Sequence, residues 1–115
     1  MNPKPAYQYA ATIIKIHDGD TINVDVDLGF KIHFSTPVRF YGINAPELAT
    51  PEGKNSVVYI RTLLSVGDDI TIVTFASHDE KYGRWLATVI NKNGVDVNQA
   101  MIDSGNAVPY FGGTK

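Results

Sequence analysis

The chain has 115 residues, 43% of them apolar, with ten basic and twelve acidic side chains, a formal net charge of −2 and no cysteine. Such a length suits one domain with one modest core, expected to run over residues 1–115 with frayed ends at 1–7 and 112–115. The missing cysteines exclude disulfides, zinc–thiolate sites and a thiol nucleophile, and the mild acidity argues against non-specific wrapping of DNA, whose affinity is dominated by basic contacts to phosphate.

Residues 9–17 are apolar and β-branched and predict a first strand. Asp18-Gly19-Asp20 is a turn signal. Ile22, Val24, Val26 and Leu28 then alternate with Asn23, Asp25 and Asp27, the period of a strand with one wet face. After Gly29, residues 30–43 form a third extended stretch in which Pro37, lacking an N–H, predicts an edge or a bulge. Asn44-Ala45-Pro46-Glu47 reads as a loop. Thr50 is a natural helix cap, Pro51 suits the first helical position, and Val57, Ile60, Leu63 and Leu64 supply an apolar stripe ended by Gly67. Residues 70–75 and 85–90 read as strands around a polar loop, 77–83. Asp96 caps a short second helix carrying Val97, Ala100 and Met101, with Gly105 beyond it. The fold class expected is mainly β (α+β), a five-stranded, partly open OB-fold barrel with one helix after strand 3 and a short one after strand 5. No run of about eighteen apolar residues is present to make a membrane-spanning helix. The start has no signal-peptide stretch, so a cytoplasmic location is favoured over secretion.

Three loops hold the polar residues with chemical potential. Asp18-Gly19-Asp20-Thr21 places two carboxylates two apart in a tight turn, a hard-oxygen arrangement suited to calcium or magnesium, although Asp-Gly is also ordinary hairpin chemistry. In Arg39-Phe40-Tyr41-Gly42-Ile43-Asn44-Ala45-Pro46-Glu47 the arginine lies inside an apolar strand, where a guanidinium needs partners. Asn44 offers a neutral oxygen there, and Glu47 is able to accept a proton or position a water. Glu80-Lys81-Tyr82-Gly83-Arg84 mixes basic and aromatic residues as phosphate recognition does. Each loop alone reads more readily as solvated surface. His17, His33 and His78 have no metal-ligand spacing.

Together and in this order, the three motifs resemble the staphylococcal nuclease family, from about residue 13 to about residue 110, and the Val97-Asn98-Gln99-Ala100 stretch resembles its second helix. The resemblance implies an OB barrel and calcium-dependent hydrolysis of DNA and RNA phosphodiesters to 3′-phosphate ends. It implies calcium ligands at Asp20, Asn44 and the Ala45 carbonyl, phosphate-binding arginines at Arg39 and Arg84, and a general base at Glu47. Lys81, Tyr82 and Tyr110 match residues lining the nucleotide pocket. A monomer acting on DNA or RNA is expected.

Three departures from the family accompany this. Asn44 stands where its best-known member has an aspartate, which predicts weaker calcium binding because ligand charge tunes affinity. The family's last helix has no counterpart before Lys115. The chain is acidic where that member is basic, so substrate capture is expected to be weaker. The alternative is an OB-fold nucleic-acid-binding module with little or no catalysis.

Overall fold

The closing contact of the structure is a parallel seam of three residue pairs, Val38 with Trp85, Arg39 with Leu86 and Phe40 with Ala87. The structure, a computed structural model, describes residues 6–75 and 85–110. In chain order its elements are β1 (Ala6–Asp18), β2 (Thr21–Asp27), β3 (His33–Phe40), β4 (Ile43–Asn44), α1 (Pro51–Ile60), β5 (Asp69–Phe75), β6 (Trp85–Ile90), α2 (Val97–Asp103) and β7 (Val108–Pro109). Five strands close into a barrel in the order β1-β2-β3-β6-β5, and β4 and β7 form a separate two-stranded ribbon. This is the OB-type barrel expected, closed by the β3–β6 seam where the sequence suggested a partly open one, with its two helices in the expected places.

Closure depends on β1 serving two neighbours. Its start pairs with β5 and its end with β2, and the β2 register slips between Ile13 and Lys15 and again between Ile16 and Asp18. Such irregularities bend a strand and increase its twist, as a small barrel requires. They sit in β1 and not at Pro37. Pro37 pairs with Asn23 of β2 and lies one residue ahead of the β6 seam, so its missing N–H falls where β3 is still an edge.

The alternation in β2 is that of a half-wet strand: Ile22, Val24 and Val26 are buried. They meet Ala11, Ile13, Val38, Phe40, Ile70, Ile72, Ala87 and Val89 in the barrel interior, and Ile60 and Leu64 at the end of α1 and beyond it, with Val97 and Met101 of α2, extend the same core. Neither described helix is long and apolar enough to cross a membrane.

Three expected boundaries move. The first strand starts at Ala6 and not at residue 9, because Ala6 and Tyr7 pair with Phe75 and Thr74 of β5. The stretch 30–43 is not one strand. Phe30 and Lys31 have φ of 54° and 62° at a hairpin tip closed by Leu28 N–H donating to the Ile32 carbonyl at 2.8 Å, and a turn at Tyr41-Gly42 precedes β4. Helix α1 stops at Ile60 because Arg61 is its cap, so Leu63 and Leu64 pack from the turn that follows.

One buried amide extends the seam past Phe40. Asn98 of α2 accepts from Val89 N–H at 3.0 Å and donates to the Tyr41 and Ala87 carbonyls at 2.9 and 3.1 Å. A buried amide leaves its partners stranded when removed, at about 1–3 kcal/mol for each group. Asn98→Ala is therefore expected to destabilise the protein by about 3 kcal/mol in urea denaturation. A loss under about 1 kcal/mol would show that the seam holds without it.

Candidate functional site

The site grows from the turn between β1 and β2. Asp18 ends β1, and its Oδ1 accepts from Asp20 N–H at 3.0 Å. Asp20, buried to 7% exposure, points its carboxylate across the chain. Its Oδ1 accepts from the Thr21 hydroxyl at 3.1 Å and its Oδ2 from Ala45 N–H at 2.9 Å. Gly19 permits this close approach: a Cβ there would stand 2.8 Å from the Ala45 Cβ and 2.9 Å from the Ser56 Cβ.

Arg39 arrives from β3. Its Nη1 donates to the Ile43 and Phe40 carbonyls at 3.0 and 3.3 Å, and its Nη2 donates to Asn44 Oδ1 at 3.0 Å and lies 3.5 Å from Asp20 Oδ2. The guanidinium carbon is 5.6 Å from the centre of the Tyr110 ring, a cation–π distance. Tyr110 is held there because its N–H donates to the Gly42 carbonyl at 2.8 Å, just after β7 has paired with β4. Asn44, expected in a loop, therefore belongs to a two-residue strand that fixes its amide.

Glu47 stands at the rim and is exposed. Its carbonyl accepts from both the N–H and the hydroxyl of Thr50, at 3.0 and 2.7 Å. Asp20, Arg39, Asn44, Ala45 and Tyr110 are thus brought together, with Glu47 two residues beyond Ala45 on the same loop. Lys81, Tyr82 and Arg84 lie outside the described residues. Two contributors escape a reading of the sequence, Thr21 and Ser56. Thr21 stands in plain view beside Asp20. Ser56 has the pattern of a surface serine, because its packing against Gly19 is long-range.

The sequence profile of the staphylococcal nuclease homologues matches residues 37–115. That span covers more than half of the chain. The chain belongs to the staphylococcal nuclease family. Among its relatives are "Endonuclease YhcR" of Bacillus subtilis (strain 168), 32% identical over 120 residues, and an "Uncharacterized endonuclease" of Escherichia coli O157:H7, 31% identical over 98 residues. These alignments take in 95% and 85% of the chain but 10% and 59% of the relatives, so the chain spans only part of each.

This family member concentrates negative charge in one turn. Burial raises the pKa of Asp18 above its ordinary value of 3.8, and the hydrogen bond with Asp20 and that residue's charge raise it further, while the Asp20 N–H and His17 pull the other way. The folded state therefore holds the Asp18 proton to higher pH than the unfolded chain, so this carboxyl lowers stability as pH rises from 3.8 through the raised value. Asp18→Asn keeps the acceptor and removes the charge. In chelator it is expected to be more stable than the parent at neutral pH, with the gain vanishing below about 3.8. Equal thermal midpoints at pH 7 would show that the Asp18 charge is no burden.

Proposed function

We propose that this chain is a nuclease domain that hydrolyses phosphodiester bonds of DNA or RNA with calcium as cofactor, leaving 3′-phosphate ends. The observation that carries this reading is the convergence of Asp20, Asn44 and Arg39 beside the exposed Glu47 loop. The endonuclease names of the two relatives agree with it.

The donor chemistry suits a hard cation. Asn44 Oδ1 and Asp20 Oδ2 both lie within 3.5 Å of Arg39 Nη2, so two oxygen donors face one point, and calcium bound there would share them with the guanidinium. Among the described residues no three His, Cys, Asp or Glu side chains come together, so the proposed set has one carboxylate, Asp20, with the Asn44 amide oxygen and the Ala45 carbonyl. Calcium bound there would neutralise a phosphate oxygen and lower the pKa of a ligated water.

The remaining work falls to the chain's own residues. Arg39 and, by its match to the family, Arg84 stabilise charge building on the phosphorus centre. Four protein oxygens surround the Arg39 Nη atoms, which fixes the guanidinium before substrate arrives, and preorganised charge of this kind is what lowers a barrier. Glu47, exposed at the rim, takes the proton of the attacking water. Tyr110 backs Arg39, and Lys81 and Tyr82 contact the nucleotide. Arg39→Lys, Arg84→Ala and Glu47→Gln are each expected to slow cleavage of single-stranded DNA by about 10²–10³ with the circular dichroism unchanged. An Arg84→Ala protein as fast as the parent would remove Arg84 from the site.

A binding module without chemistry is favoured by one observation, the neutral Asn44 amide already engaged by Arg39. Intact DNA with calcium and with chelator, together with a band shift, would select it. For the metal, Asn44→Asp is expected to tighten calcium by roughly tenfold in a titration, through added ligand charge. Unchanged affinity would take Asn44 out of the ligand set.

A further inference from the structure

The proposed base, Glu47, is exposed, so the reach of its side chain is measured from where its backbone sits. That backbone is gripped by the start of α1. The Glu47 carbonyl accepts from Thr50 N–H at 3.0 Å and from Thr50 Oγ1 at 2.7 Å, and the same hydroxyl accepts from Gly53 N–H at 3.0 Å. One oxygen thus caps the helix and passes a hydrogen bond on to the peptide that leaves Glu47.

Gly53 lies against that peptide. A Cβ at position 53 would stand 1.9 Å from the Glu47 carbonyl oxygen, 2.5 Å from its carbon and 2.9 Å from the Leu48 Cα. All three are backbone atoms, so no rotamer change relieves the clash; the loop carrying Glu47 has to move. The helix itself is fixed one turn further on. Ser56 is buried, donates to the Asn106 carbonyl at 2.6 Å, and packs against Gly19 of the Asp20 turn. Gly53, Ser56 and Ile60 form the buried face of α1, so one rigid helix registers the Glu47 loop against Asp20.

We propose that Thr50 and Gly53 are positioning residues for Glu47, holding its backbone at a fixed distance from the Asp20–Arg39 centre. This rests on the reading of Glu47 as the base. Displacing a reacting group by about 1 Å costs on the order of 10²-fold in rate.

The test uses the 115-residue protein, single-stranded DNA and saturating calcium, with kcat and KM measured separately. Thr50→Val removes the hydroxyl and is expected to lower kcat by about 10-fold to 100-fold with KM unchanged, while Thr50→Ser keeps the parent rate. In a Glu47→Gln background Thr50→Val is expected to add nothing, because the group it positions is gone. A Gly53→Ala protein that folds should follow Thr50→Val; if it does not fold, the Thr50 pair still decides. A Thr50→Val loss of the same factor in the Glu47→Gln background, a change in KM alone, a slow Thr50→Ser protein or a fast Thr50→Val protein would each overturn the proposal. Parent-like activity of Glu47→Gln itself would overturn the reading of Glu47 beneath it, and is seen without touching position 50.

Discussion

The site depends on a guanidinium that has been taken out of water and supplied with partners. A buried arginine is costly unless its donors are met. Arg39 meets its own with two backbone carbonyls, an amide and a carboxylate, drawn from β3, β4 and the turn before β2. Its partners pin three segments besides its own strand. Ile43 and Asn44 are drawn in by β4, Asp20 by the first turn, and Tyr110 by β7. Removing the charge would strand Asp20; removing Asp20 would leave the charge facing carbonyls. The ion pair is thus poor evidence of stability but good evidence of registration, since it is satisfied only when all four segments are in place.

Small residues let that registration happen. Gly19 faces Ala45 and Ser56, and Gly53 faces the Glu47 peptide, each at distances that a side chain would deny. The helix therefore sits closer to the site than a stripe of large apolar residues would allow. Its inner face is glycine and serine at the site end and isoleucine at the core end. The same ten residues pack against the Glu47 peptide and the Asp20 turn with one turn and against the core with the next.

Much of this is legible in the sequence. The alternation from Ile22 to Asp27 announces a half-buried strand, the Thr50-Pro51 cap a helix start, and the loops at 18–21 and 39–47 the residues that meet. What stays hidden is non-local. Nothing near Asn44 signals that it pairs with Val108, because a two-residue strand has no period to read. Nothing near Ser56 tells of Gly19, thirty-seven positions earlier, or near Asn98 of Tyr41 and Ala87. The hairpin tip is hidden for the opposite reason. Phe30 and Ile32 have the composition of a strand, and the left-handed backbone at Phe30 and Lys31 overrides it.

The three-pair seam between β3 and β6 has a further meaning for how the molecule comes to exist. Its partners are separated by forty-seven positions, so the loop must close before the contact repays the entropy of closing it. Arg39 lies in the middle of that seam and then needs the ribbon of β4 and β7 to bring Tyr110 beneath it. On a ribosome, the motifs at 18–21 and 39–47 emerge early, but their geometry waits for β7. A growing chain carries every acidic and basic group of the β1–β3 half well before it holds them in this arrangement, which is complete only once synthesis has passed residue 110.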